Sequence, residues 1–332
     1  MTMPPLSTVP SRARAMTPAA VADAARGSEV VTTGGGGNGW NRRGKVAPYL
    51  FLLPYFIVTA VFFLYPLVYA TVLAFYQTSG PARKAFVGLD NFRFVLADPD
   101  FHRALWNTTV FAICSVCIQL PLSLALAMML NSRADKLKGV FRLAIFAPNL
   151  VGQVFVAILF SMLFTPRYGL FNRFLQMLIG WGLEQRWLQD PMLVMPAIVI
   201  CSLWMYVGFN MIYFLAALQN VDQSLVEAAR IDGAGPFAVF ANVTVPAIAP
   251  VATFVIVTST IGSYQLFELP YTLLQGFGPK NSGLTVMGYL YNFAFENGDL
   301  GTGAAVGWLL TFILLVISLV QIRITSMVGS TK

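Results

Sequence analysis

Asn220-Val221-Asp222-Gln223-Ser224-Leu225-Val226-Glu227-Ala228-Ala229-Arg230-Ile231-Asp232-Gly233-Ala234-Gly235-Pro236-Phe237, continuing to Val243-Thr244-Val245-Pro246, is a polar interval between two long apolar stretches. Residues 192–218 before it and 247–269 after it are each long enough to cross a hydrocarbon core as a helix. The interval therefore belongs at a membrane surface. Asp222 is suited to cap a short helix, Gly233 to end it in the left-handed conformation, and Gly235-Pro236 to start a second short helix with proline at its first position. A helix-turn-helix on the membrane surface is expected over 219–246. Glu227, Arg230 and Asp232 mark its polar faces, and Ala228, Ala229, Gly233 and Ala234 leave room for another protein to approach. A capped loop with a solvated charged face is the simpler alternative.

Outward from this interval the same composition holds. Of 332 residues 57% are hydrophobic and 11% charged, far below the roughly 25% charged residues of a soluble domain. Six apolar segments, at about 46–75, 104–130, 143–164, 192–218, 247–269 and 304–322, predict an all-α membrane protein with six transmembrane helices in a domain over 46–325. The loops between them are too short for a separate catalytic domain, which nearly excludes a soluble enzyme. Residues 1–45, rich in Ser, Thr, Ala, Pro and Gly, read as a disordered basic tail ending in Arg42, Arg43 and Lys45. With both termini cytoplasmic, thirteen basic residues fall inside and eight outside, the bias of the positive-inside rule. The formal charge of +7 then marks cytoplasmic loops and anionic lipid rather than nucleic acid. Cys114, Cys117 and Cys201 lie in apolar stretches and read as packing residues, and the sole histidine, His102, is expected in a loop.

The run Glu227-Ala228-Ala229, Asp232-Gly233-Ala234 and Pro246 resembles the Glu-Ala-Ala loop of permease subunits in bacterial binding-protein-dependent ABC importers. Val243 and Val245 keep the apolar character of that pattern. Leu53-Pro54, Tyr65-Pro66, Phe86-Val87-Gly88, Phe164-Thr165-Pro166-Arg167-Tyr168-Gly169-Leu170-Phe171-Asn172 and Gly276-Phe277-Gly278-Pro279 resemble the carbohydrate-uptake branch, most of all its first permease subunit in maltose, lactose and glycerol-3-phosphate importers. The resemblance implies the type I ABC importer permease fold in the bacterial cytoplasmic membrane. It also implies partners: a second permease subunit, two ATP-binding subunits and an extracytoplasmic sugar-binding protein. Glu227, Ala228, Ala229, Asp232, Gly233 and Pro246 would couple this chain to the ATPase. The chain has no Gly-x-x-x-x-Gly-Lys-Ser/Thr phosphate loop, so it should carry no cofactor, ATP being bound by the partner subunits.

A sugar site at mid-membrane needs neutral hydrogen-bonding and aromatic side chains facing a cavity. Asn149 and Gln153, then Ser202, Tyr206, Phe209 and Asn210, then Ser259, Ser263, Tyr264 and Gln265 supply them at helical spacing. The likeness to maltose-type permeases implies substrate-lining roles for Asn149, Gln153, Ser202, Met205, Tyr206, Phe209, Ser259 and Ser263. Helix–helix hydrogen bonding is the competing role for the Ser and Tyr residues. Glu268 reads as an outer headgroup residue, or alternatively as a gating carboxylate. A stand-alone ion-coupled transporter is the second reading of the whole chain, and it would call for paired midplane carboxylates. An intramembrane enzyme would need a His, Asp or Ser constellation within the spans.

Overall fold

The computed structural model describes residues 40–80, 83–132, 138–180 and 184–329. Most of the expected tail, up to residue 39, lies outside the described residues, while residues 40–45 are helical. By contacts the chain divides into two units, residues 1–63 and 64–332. In the first, α1 covers Trp40–Thr59 and leads into a π-helical turn at Ala60–Leu64.

The second unit opens with α2 (Tyr65–Leu73) and an antiparallel hairpin of β1 (Tyr76–Ser79) and β2 (Arg83–Phe86), Tyr76 opposite Phe86. This hairpin is the only sheet among the described residues, and the rest of the regular structure is helical as expected. Then follow α3 (Asp90–Ala97), α4 (Pro99–Ser132), α5 (Lys138–Phe146), a 3-10 turn (Ala147–Leu150), α6 (Gln153–Leu163), α7 (Leu170–Ile179) and α8 (Pro191–Gln219). Next come α9 (Gln223–Ile231), α10 (Pro236–Val239), a π turn (Phe240–Thr244), α11 (Val245–Tyr264), α12 (Glu268–Leu274), α13 (Val286–Tyr291), a π turn (Asn292–Glu296) and α14 (Leu300–Gly329). His102 sits in the first turn of α4, its ring Nδ1 2.9 Å from the Asp98 carbonyl, and not in a loop.

Among the described residues five helical stretches are long and apolar enough to cross a membrane: Tyr49–Leu73, Pro99–Asn131, Pro191–Gln219, Pro236–Tyr264 and Leu300–Thr325. The third expected span is not a straight helix. It breaks into Lys138–Leu150 and Gln153–Leu163, bent by 97°, and counts as a sixth span only as a pair. The break is written locally: Pro148 tightens the chain into the 3-10 turn, and Val151 and Gly152 are extended.

Two prolines lie inside continuous helical spans. Each of Pro66 and Pro246 is preceded by a π turn that ends two residues earlier. The amide of Val245 bonds the Phe240 carbonyl five residues back, so the register slips where a proline cannot donate. The expected second short helix after Gly235 is consequently not separate. It is the first turn of a span running unbroken from Pro236 to Tyr264. That span also stops five residues before the expected Leu269, with Gln265 as its cap and α12 starting afresh at Glu268.

α8 is the central helix of the bundle. Half of its most apolar window is buried, against 17% and 22% for the spans ending at Tyr264 and Thr325. Phe160, Phe164, Trp187, Ile198 and Met205 form one core, and Leu120, Met211, Phe214, Ile248 and Val255 another. Large apolar side chains such as Phe155, Met162 and Phe312 remain exposed around the bundle, which suits hydrocarbon rather than water.

Candidate functional sites

α9 is set by its two ends. The Asp222 carboxylate accepts from the Ser224 amide at 2.9 Å, and this bonding to Ser224 holds its pKa below the usual carboxylate range. At the other end Gly233 has φ +83°. Its amide bonds the Arg230 carbonyl at 3.1 Å and the Ala234 amide bonds Ala229 at 2.9 Å, the paired bonds of a Schellman end. Gly235 then caps α10 with Pro236 in its first turn. Both caps and the left-handed glycine are as the sequence reading has them.

The surface so formed is open. Glu227, Ala228, Arg230, Asp232 and Gly233 are exposed, Ala229 is half-buried, and Leu225, Ile231 and Phe237 expose large apolar side chains beside them. Among the described residues no ion pair engages Glu227 or Arg230. Pro246 lies further along, exposed in the first turn of α11. A patch mixing exposed apolar and charged groups at a fixed helix end is suited to receive another protein.

The second site is a cavity of about 340 Å³ between α4, α6, α8 and α11. Phe111, Ser115 and Gln119 approach it from α4, Gln153 from the first turn of α6, Tyr206, Phe209 and Asn210 from α8, and Thr258, Ser259, Gly262 and Ser263 from α11, with Gln265 and Leu266 beyond. None of these side chains is charged. Gln153 Nε2 donates to the Tyr206 hydroxyl at 2.9 Å, while Gln153 Oε1 is buried without a partner. Ser115 Oγ donates to Gln119 Oε1 at 3.0 Å, and Asn210 Nδ2 reaches Ser259 Oγ at 3.4 Å. The wall thus carries amide and hydroxyl groups with three aromatic rings, and one acceptor is left unsatisfied for a bound donor.

Of the eight residues expected to line a substrate cavity, the structure brings Gln153, Tyr206, Phe209, Ser259 and Ser263 together. Asn149 is half-buried in the 3-10 turn at the bend. Ser202 is buried with its hydroxyl on the Val199 carbonyl at 2.8 Å, and Met205, 2% exposed, packs in the Phe160 core. These three lie off the cavity. The α4 residues were missed, although Phe111, Ser115 and Gln119 at i, i+4 and i+8 mark one helical face in the sequence. Tyr264 turns away from the cavity, its hydroxyl 3.0 Å from that of Thr109. Glu268 is exposed in the first turn of α12, outside the cavity lining.

The family described as binding-protein-dependent transport system inner membrane component matches residues 119–329. The chain is 36% identical to the arabinooligosaccharides transport system permease protein AraP of Bacillus subtilis, over 87% of this chain and 90% of that one. It is 37% identical to the lactose transport system permease protein LacF of Rhizobium radiobacter, over 86% and 92%. Its backbone is similar to a chain of a bacterial ABC transporter involved in import of the acidic polysaccharide alginate, at TM-score 0.75 and 23% identity, covering 88% of this chain and 99% of that one.

Proposed function

We propose, from the premise that this chain belongs to the family of binding-protein-dependent transport system inner membrane components, that it carries a neutral sugar and is driven through α9. It is the multi-pass membrane permease of a sugar ABC importer, with the type I permease fold. The relatives are named for arabinooligosaccharides, lactose and sn-glycerol-3-phosphate. The observation that favours a neutral sugar among these is the cavity wall itself, amide and hydroxyl groups without a cation for a phosphate or carboxylate.

In this reading Gln153, Tyr206, Phe209, Ser259 and Ser263 of the expected set, with Ser115, Gln119 and Asn210, meet the sugar. Asn149, Ser202 and Met205 support the cavity from behind. Glu227, Ala228, Ala229, Asp232 and Gly233 dock an ATP-binding subunit, with Pro246 at the base of the helix that receives the push. A second permease subunit completes the pore, two ATP-binding subunits power it and an extracytoplasmic binding protein delivers the sugar. Alternating access then follows from partners that favour different states of one packed bundle.

The test is reconstitution. The chain purified with its companion subunits, in liposomes supplied with ATP, should accumulate one member of a panel of arabinose oligomers, lactose and other neutral sugars. Uptake by the purified chain alone, without companions, would overturn the reading.

A further inference from the structure

The motif Phe164-Thr165-Pro166-Arg167-Tyr168-Gly169-Leu170-Phe171-Asn172 has no part in either site, yet the structure gives it a clear construction. Gly169 turns the chain from α6 into α7 so tightly that a Cβ there would overlap the Leu163 carbonyl oxygen. The Asn172 side chain is buried, donating to the Gln185 carbonyl at 3.0 Å and accepting from the Trp187 indole at 2.7 Å. Phe171 packs edge-on against both Phe164 and Trp187, each 5.1 Å away between ring centroids. The stripe Phe171, Asn172 and Leu175 thus fixes α7 to the core around Phe164 and Trp187.

A second apolar stripe runs beside the first, and among the described residues nothing covers it. Leu170 is 64% exposed, Phe174 57%, Met177 90% and Leu178 60%. At 100° per residue these four fall within about 100° of arc, adjoining the Phe171 and Leu175 stripe; exposed Arg173 and Gln176 occupy the remaining side, and Ile179 is exposed at the helix end. The apolar arc of the helix is therefore about twice as wide as the part the protein buries. α7 also lies between the end of α6 and the start of α8, so its height is that of one membrane boundary. Because α8 crosses the membrane between them, that boundary is opposite the one carrying Glu227.

We propose that α7 is an interfacial helix whose occupant is the lipid bilayer. Phe171 and Leu175 face the protein, Leu170, Phe174, Met177 and Leu178 sink into the boundary of headgroups and acyl chains, and Arg173 and Gln176 face water. Lipid is the occupant because α7 joins two membrane-crossing segments at one membrane boundary, lies against α6, and carries Arg173 and Gln176 on the side away from the stripe. One wedge of helix then locks the outer end of the bent α5–α6 pair to both protein and membrane. The proposal is independent of which solute is carried.

The experiment uses the unsubstituted chain with its companion subunits in vesicles of phosphatidylcholine, phosphatidylglycerol and a phospholipid bearing a diazirine on the acyl chain near the headgroup. After illumination, lipid adducts should map to Phe174, Met177 and Leu178 at a yield within about threefold of exposed Phe312 on α14. Adducts at Phe312 with none on residues 170–179 would overturn the proposal. A second reading uses spin labels at 173, 176, 177 and 178 after replacing the three native cysteines. Oxygen should reach 177 and 178 better than a water-soluble nickel chelate, with the reverse at 173 and 176. A label at 177 shielded from both would mean a protein partner, and one open to nickel would mean water, and either result overturns it.

Discussion

Gly208 of α8 lies directly beneath the carbonyl of Ile145 at the end of α5, so close that a Cβ on residue 208 would overlap the Ile145 oxygen and crowd Phe146. Backbone meets backbone there, as small residues allow in membrane bundles. The contact falls next to Phe209 and Asn210, which face the cavity, and close to the break that aims Gln153 at Tyr206. One missing side chain therefore sets how the bent pair leans on the central helix.

Gly208→Ala should cost about 1–3 kcal/mol through overpacking, seen as a lowered thermal midpoint of the detergent-purified protein. Gly262→Ala is the control. It adds the same methyl to a membrane helix, but the space about Gly262 is open, so its midpoint should scarcely move.

Gly233 has φ +83° and open space around it within this chain. Replacement by Ala therefore meets only backbone strain of about 1–2 kcal/mol, and Asn tolerates the conformation better still. Gly233→Asn should keep most uptake, whereas Gly233→Asp should abolish it with membrane expression unchanged, because a charge is then set against the ATP-binding subunit. Full uptake in Gly233→Asp would remove the docking role from this loop.

The Gln153 amide is the strongest candidate for a sugar contact. Gln153→Leu should raise the half-saturating sugar concentration at least tenfold in an uptake assay, while thermal stability holds or improves because a buried unpaired acceptor is lost. Ser202→Ala should change uptake less than twofold, since that hydroxyl bonds its own helix. The opposite order of effects would move the sugar site one turn along α8.

Asp222 gives a pH dependence of known sign. Its pKa is lowered in the folded chain by bonding to Ser224, so the cap contributes above the ordinary carboxylate pKa and is lost as pH falls through the folded value. Hydrogen exchange at the Ser224 amide should accelerate over that acidic range, relative to neighbouring amides. Asp222→Asn retains a capping oxygen and should remove the pH dependence without removing the cap.

Tyr289 gives the opposite sign at alkaline pH. Burial, then the 2.6 Å hydrogen bond its hydroxyl donates to Asp98 Oδ2, raise its pKa above the usual tyrosine value. Stability from this contact is full below the ordinary tyrosine pKa and falls as pH rises above it toward the folded value. The thermal midpoint of Tyr289→Phe should therefore vary less above pH 10 than that of the unsubstituted protein.

Much of this protein is written locally. Long apolar runs dictate membrane helices because a helix satisfies its own backbone in lipid. Asp222, Gly233 and Gly235-Pro236 dictate the ends of α9 and α10, because capping depends on neighbours within a few residues. The family pattern around Glu227 was legible for the same reason. Pro148 and Gly152 stand in the sequence at the bend, yet composition alone measures length and not direction and so predicts one continuous span there. What only the tertiary structure decided is which face of each helix turns inward. In water an amphipathic stripe announces the core, but in lipid both the buried and the exposed faces are apolar. Ser202 and Met205 therefore looked as eligible as Tyr206, and Phe111, Ser115 and Gln119 went unnoticed, until packing against Gly208 and the turn at Gly152 fixed where the cavity lies.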